Sequence, residues 1–166
     1  MRYTLKTFFL LLGLSSFSMA QWSQQAKLVS DDGAAKDQFG RSVAVDGDYA
    51  IVGADYDDDA GGNSGSAYIF IRSGTSWSQQ AKLVADDAAV EDYFGAKVSI
   101  SGDYAIVGAH YDNDAGANSG SAYIFVRSGT SWSQQAKLVA SDATADDTFG
   151  RSVAIDGDYA VVGANQ

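Results

Sequence analysis

The octapeptide WSQQAKLV occurs three times, beginning at Trp22, Trp77 and Trp132, and its surroundings recur with it at a spacing of 55 residues. A regular repeat of this size is a supersecondary unit that cannot bury its apolar face alone, so the chain is constrained to fold as a stack of similar units. Between Trp22–Ser76 and Trp77–Ser131, 14 of 55 positions differ. Function then belongs on loops that recur at one place in each unit, and the differences between units carry as much information as the identities.

Within Arg41–Val84, the runs SVAVD and DYAIVGA flank Gly47. Asp-Gly between apolar runs is a strong hairpin signal, because a primed turn needs the positive φ that glycine supplies without strain. A loop rich in Asp, Gly and Asn, Asp55–Gly65, leads into SAYIFIR, and Ser73-Gly74-Thr75 turns the chain into SWSQQAKLV. Each unit therefore reads as four antiparallel strands.

The second and third runs are apolar at successive positions, so both of their faces are dry, and an antiparallel sheet with two dry faces needs a sheet on each side. The last run alternates, with Trp77, Gln79, Ala81 and Leu83 assigned to one side, and reads as the outer strand. The fold class is all-β: β-propeller blades of four antiparallel strands, incomplete, with two full blades (Arg41–Val84 and Ala96–Val139) plus partial ones, namely an orphan fourth strand ahead of the first blade and strands 1 and 2 of another at Arg151–Ala164. A β-sandwich of the same strands is the alternative.

Arg2 and Lys6 precede the apolar run Phe8–Leu14, which is followed by small residues up to Ala20. This pattern predicts a signal peptide over residues 1–20 and repeats over 21–166, hence a secreted, periplasmic or cell-surface protein. The remaining nine basic residues face 21 acidic ones, a net charge of −12. Such a surface argues against nucleic acid and against membrane insertion after cleavage. With no cysteine, stability must come from packing or bound ions.

Phe39-Gly40, Phe94-Gly95 and Phe149-Gly150 are each followed about a dozen residues later by Val-Gly-Ala. These motifs resemble the FG-GAP repeat of integrin α-subunit propellers. The D-D-D-x-G-x-N-S-G-S-A-Y stretch and the W-x-Q-Q-A-K-L strand are similar to a bacterial-type variant of that repeat. The resemblance implies a seven-bladed propeller and an extracellular role, often in cell adhesion. Integrin calcium ligands lie in the hairpin joining strands 1 and 2, which here has shrunk to Asp46-Gly47-Asp48 and its equivalents, too short to wrap an ion needing six or more oxygens. Those residues cannot be carried over. Nor is there enough chain for a full ring, which predicts a fragment or a piece that completes itself through its open blade edges with other copies.

The acidic loop is the best candidate for chemistry. Asp55, Asp57, Asp59 and Asn63 occupy alternate positions that aim oxygens at one point in calcium loops. The second unit places His110, Asp112, Asp114 and Asn118 there, a weaker set because the imidazole replaces a hard oxygen. The competing reading is that Asp, Asn and Gly bond their own backbone and keep an exposed loop soluble. Tyr56 and Tyr111, with His110, are candidate ligand contacts. Trp22, Trp77 and Trp132 are expected to pack between blades, and Lys27, Lys82 and Lys137 to protect an outer edge.

Substitutions gather on this face: Lys36 becomes Glu91, Gln38 becomes Tyr93, Arg41 becomes Ala96 and Asp55 becomes His110. There is no Cys nucleophile, one His and no G-x-S-x-G elbow, which argues against an enzyme. The expected function is a secreted binding or adhesion module presenting an acidic, calcium-binding loop face to a protein or glycan. The alternative is a structural fragment that completes a propeller by association and has no ligand of its own.

Overall fold

A computed structural model describes residues 23–165. The expected signal peptide and Trp22 lie outside them. Ten strands form: β1 (Val43–Asp46), β2 (Tyr49–Ala54), β3 (Ser66–Ser73), β4 (Ser76–Leu83), β5 (Lys97–Ser101), β6 (Tyr104–Ala109), β7 (Ser121–Ser128), β8 (Ser131–Leu138), β9 (Ser152–Asp156) and β10 (Tyr159–Gly163). They make two four-stranded antiparallel sheets, β1-β2-β3-β4 and β5-β6-β7-β8, and a β9-β10 hairpin. There is no helix among the described residues.

The turns follow the sequence. Asp46 pairs with Tyr49 across Gly47-Asp48, and Ser73 with Ser76 across Gly74-Thr75. Gly47 and Gly74 take φ of 55° and 62°, positive at the first central residue of each two-residue turn.

The second sheet decides between propeller and sandwich. One of its faces packs on the first sheet through β5 against β1 and β2, and its other face carries β9. A sheet covered on both sides by its sequence neighbours is a blade in a stack, and the stack is open. A single core spans the junction of the first two blades, joining Ile51, Ile69 and Leu83 to Val98, Ile100, Val107 and Phe125.

Two expectations need correction. The stretch 23–30 forms no strand. In the complete blades the same sequence is a strand because it pairs with the third strand of its own blade, as Trp77 does with Arg72. The alternation expected for WSQQAKL is also broken by a bulge. Ile69 pairs with Ala81 but Phe70 with Gln79, so Gln80 is an extra residue. Trp77 therefore faces the cluster of Ala50, Val52 and Phe70, while Ala81 and Leu83 face the opposite core shared with the second blade. Gln80 uses its insertion to accept a 2.9 Å hydrogen bond from Trp132 Nε1 across the junction. Trp132 does span two blades as expected, edge-on to Tyr49 at 6.5 Å.

Candidate functional site

The β2–β3 loop of each blade and the connector entering the next blade form one surface. The connector is laced to the loop before it: the amides of Glu91, Tyr93 and Phe94 donate to the carbonyls of Gly62, Asn63 and Ser64 at 2.9, 3.1 and 3.0 Å. The Phe-Gly pair ends this lacing. Phe94 is fully buried against Tyr123 and Phe125, and a Cβ on Gly53 would collide with the Gly95 carbonyl oxygen. The glycines of Phe-Gly and Val-Gly-Ala thus let two blades approach backbone to backbone.

In the acidic loop the carboxylates divide. Asp57 and Asp59 converge with Asp32, from the connector entering the same blade, and Asp112 and Asp114 converge with Asp87 in the next. Each trio brings carboxylate oxygens within 4.8 Å of one another, an acidic grouping able to hold a metal ion. Lys82 fills the first: its Nζ lies 2.7 Å from Asp32, 3.1 Å from Asp57 and 2.5 Å from Asp59. Lys137 does the same at 2.7, 2.8 and 2.6 Å from Asp87, Asp112 and Asp114. A tyrosine hydroxyl completes each centre, Tyr68 donating to Asp57 at 2.8 Å and Tyr123 to Asp112 at 2.7 Å.

The lysines at 82 and 137, expected to guard an edge, are instead the cations at the centre of these tripods; Lys27 is exposed. Burial alone would favour neutral Lys82, but its carboxylate and tyrosine partners hold the ammonium well above its ordinary pKa. Burial would push Asp57 up, and the Tyr68 hydroxyl, the Asp59 amide and Lys82 together pull it below the usual carboxylate value. Burial, then Asp57, raises Tyr68, so the phenol stays a donor. Three carboxylate oxygens around an ammonium fall short of the six to eight oxygens calcium takes.

The remaining candidate ligands lie elsewhere. Asp55 is fully buried, with one oxygen 3.3 Å from Arg41 Nε. Burial raises its pKa, and its other oxygen has no partner. Asn63 and Asn118 are turn residues at φ 53°. Their amides donate to Asp58 and Asn113 at 2.7 and 2.8 Å, and neither joins a tripod. Both readings of the loop thus find residues: the side chains of Asp57, Asp58 and Asn113 bond their own backbone, while Asp57 and Asp59 also converge.

Two of the unit-to-unit changes form a pair. Where the first blade has the Arg41–Asp55 ion pair, the second has Ala96 and His110. His110 lies in a cavity of about 210 Å³ with Arg41, Lys97 and Arg151. Burial, then those three cations, push its pKa down to about 4, so the imidazole is neutral.

The three candidate ligand contacts come together around Tyr93. Its ring lies 5.1 Å from Tyr56, 5.4 Å from Tyr111 and 6.2 Å from His110. Tyr93 has φ 56°, as does Gln38 at the same place in the preceding connector, and bulky residues avoid that region. Beside this cluster a groove of about 260 Å³ is lined by Glu91, Tyr93, Tyr111, Asn113 and Asn118. The first unit has Lys36, Gln38 and Asp58 where this groove has Glu91, Tyr93 and Asn113.

The FG-GAP repeat model matches residues 22–70, 77–125 and 132–166, well over half of the chain. The protein belongs to the FG-GAP repeat family. No curated protein matches it. The family's Phe-Gly signature is, in this member, the inter-blade hook made by Phe94 and Gly95.

Proposed function

We propose that this FG-GAP protein is an exported, non-enzymatic binding module whose ligand lies in the groove between the Tyr93 connector and the β6–β7 loop. The supporting observation is the gathering of Tyr56, Tyr93, His110 and Tyr111 into one partly exposed cluster, with Tyr93 held at a positive φ that bulky residues avoid. The connector holds this φ in every repeat, at Gln38 (56°) and Thr148 (51°) as well, so the backbone fixes the position and the second unit places an aromatic ring on it. Aromatic faces beside a carboxylate and two amides suit a glycan: the rings stack on the apolar face of a sugar while Glu91, Asn113 and Asn118 bond its hydroxyls. Adhesion through a protein ligand is the broader alternative.

A glycan array probed with the purified chain, alongside Tyr93→Gly and Asn113→Ala, tests this reading. Binding that both variants lose supports it; no hit, or hits that ignore both substitutions, would sink it.

Calcium is the second reading, favoured by the two acidic trios. An ion entering either trio must displace a lysine, so the expected result is no calorimetric heat with wild type and measurable heat with Lys82→Met. Strong binding by wild type would show that the lysine yields to the ion.

A further inference from the structure

The two ends of the blade stack expose apolar faces whose equivalents elsewhere in the chain are buried. Val43 and Val45 of β1 are 66% and 68% exposed, whereas Val98 and Ile100, 55 residues later, are 7% and 6% exposed because they pack on the first blade. At the other end Tyr159 and Val161 of β10 are 81% and 69% exposed, while Ile106, the equivalent of Val161 in the second blade, is fully buried. Neither end resembles an ordinary solvated sheet face. Each is one half of a junction that the chain builds internally.

We propose that these two faces bind each other, so that the first blade of one copy of the chain stacks on the β9-β10 hairpin of a second copy. The internal junction between the first two blades is the template. There, Tyr49 receives the edge of Trp132 and the Arg127 guanidinium, 4.4 Å from its ring centre. Across the end-to-end junction Tyr159 of the second copy takes the place of Tyr49, and Arg72 and Trp77 of the first copy take the places of Arg127 and Trp132. Trp77 already lies in an apolar groove of about 310 Å³ shared with Val43 and Val45.

The polar contacts match as well. In the template Val98 N donates to Ser42 Oγ at 3.2 Å and Gly102 N to Asp46 at 2.7 Å. The acceptors recur at the far end as Ser152 and Asp156, although the second unit has Lys97 and Ser101 there. The hairpin Arg151–Ala164 differs from Arg41–Ala54 only at Val45/Ile155 and Ile51/Val161. The far end therefore presents the first blade's accepting face, the one already shown to take a blade. Because the two faces are different, the contact is heterologous, and it closes into a ring or propagates as a filament. This association uses neither the Tyr93 groove nor the lysine tripods.

Sedimentation velocity on the purified chain over a range of concentrations tests the proposal, using Val43→Glu/Val45→Glu as the head variant and Tyr159→Glu/Val161→Glu as the tail variant. All four side chains are exposed in the single chain, and a milder set, Val45→Thr and Val161→Thr, guards against misfolding by the glutamates. Wild type is expected to sediment as multiples of the chain and each glutamate variant alone as single chains. An equimolar mixture of the two variants is expected to stop at pairs, since it retains one competent head and one competent tail. The threonine variants should shift association to higher concentration while unfolding like wild type. Wild type at single-chain mass throughout, whether because residues 1–22 cover the head or because nothing does, overturns the proposal. So does association that the variants leave intact, or a mixture that forms no pairs.

Discussion

The acidic loop has two halves that behave oppositely from one repeat to the next. Its outer half, Asp57 and Asp59 in the first blade and Asp112 and Asp114 in the second, is the same in both and closes on a lysine of the same blade. Its inner half changes: Asp55 with Arg41 gives way to His110 with Ala96, and Gln38 beside it to Tyr93. Adjacent residues of one short loop thus serve different ends. Buried Asp57 holds an ammonium and a phenol at once, so a change there strands both partners, whereas buried Asp55 holds a single cation, so that acid and its partner can change together.

The largest expected effect comes from breaking the outer half. Removing one member of a buried ion pair costs roughly 3–5 kcal/mol, but Asp32 and Asp59 keep solvent contact, so Lys82→Met is expected to cost about 2 kcal/mol in denaturant unfolding. Ligand binding in the groove should not move. A loss below a few tenths of a kcal/mol would mean that the tripod is decorative.

The inner half should tolerate a concerted exchange. Arg41→Ala alone leaves buried Asp55 without its cation and is expected to cost about 1.5 kcal/mol, much of which Arg41→Ala/Asp55→His should restore by giving the first blade the second blade's pair. A double-mutant cycle with no coupling would show that the two changes are unrelated.

His110 offers a smaller effect with a defined sign. Its folded pKa of about 4 lies below the ordinary 6.5, so as pH falls through that window the unfolded chain takes up a proton that the folded chain refuses. Wild type should therefore lose about 1 kcal/mol between these limits relative to His110→Gln, after discounting for partial exposure. Parallel thermal melts of the two proteins across that range measure the difference. Asp57 and Asp112 act in the same direction but at lower pH, because their folded pKa values lie below 3.8.

The smallest stability change is expected at Tyr93→Gly. Glycine relieves the positive φ, gaining up to about 1 kcal/mol, and loses ring contacts of similar worth. Unfolding should shift by less than about 0.5 kcal/mol in either direction while glycan binding is abolished. A large loss of stability would assign Tyr93 to the scaffold instead.

The blades were legible in the sequence because apolar runs, Asp-Gly turns and a constant spacing all point the same way. Half of the tripod was legible too, since alternate aspartates aim together. Its cation was not: Lys82 lies in an alternating outer strand, where a lysine usually protects an edge, and the Gln80 bulge that reorients the strand leaves no local mark. The available signal was that Lys82 and Asp32 recur together, 55 residues on, as Lys137 and Asp87. The aromatic cluster was half visible. Tyr56 and Tyr111 stood out in polar loops, whereas Tyr93 joins them only because the connector is laced to the preceding loop by backbone bonds, which no side-chain pattern encodes.

The extra residue at Gln80 also sets the unit of folding. By turning the strand over halfway, it sends Trp77 to one face of its blade and Leu83 to the core shared with the second blade, and the same bulge in β8 lets Trp132 face back to the first blade, so one strand serves both faces. A single repeat cut out at its blade boundaries would expose both halves at once. The blades should therefore melt together, and lengthening or shortening the array by whole 55-residue steps preserves every interface, whereas a cut inside β4 breaks two.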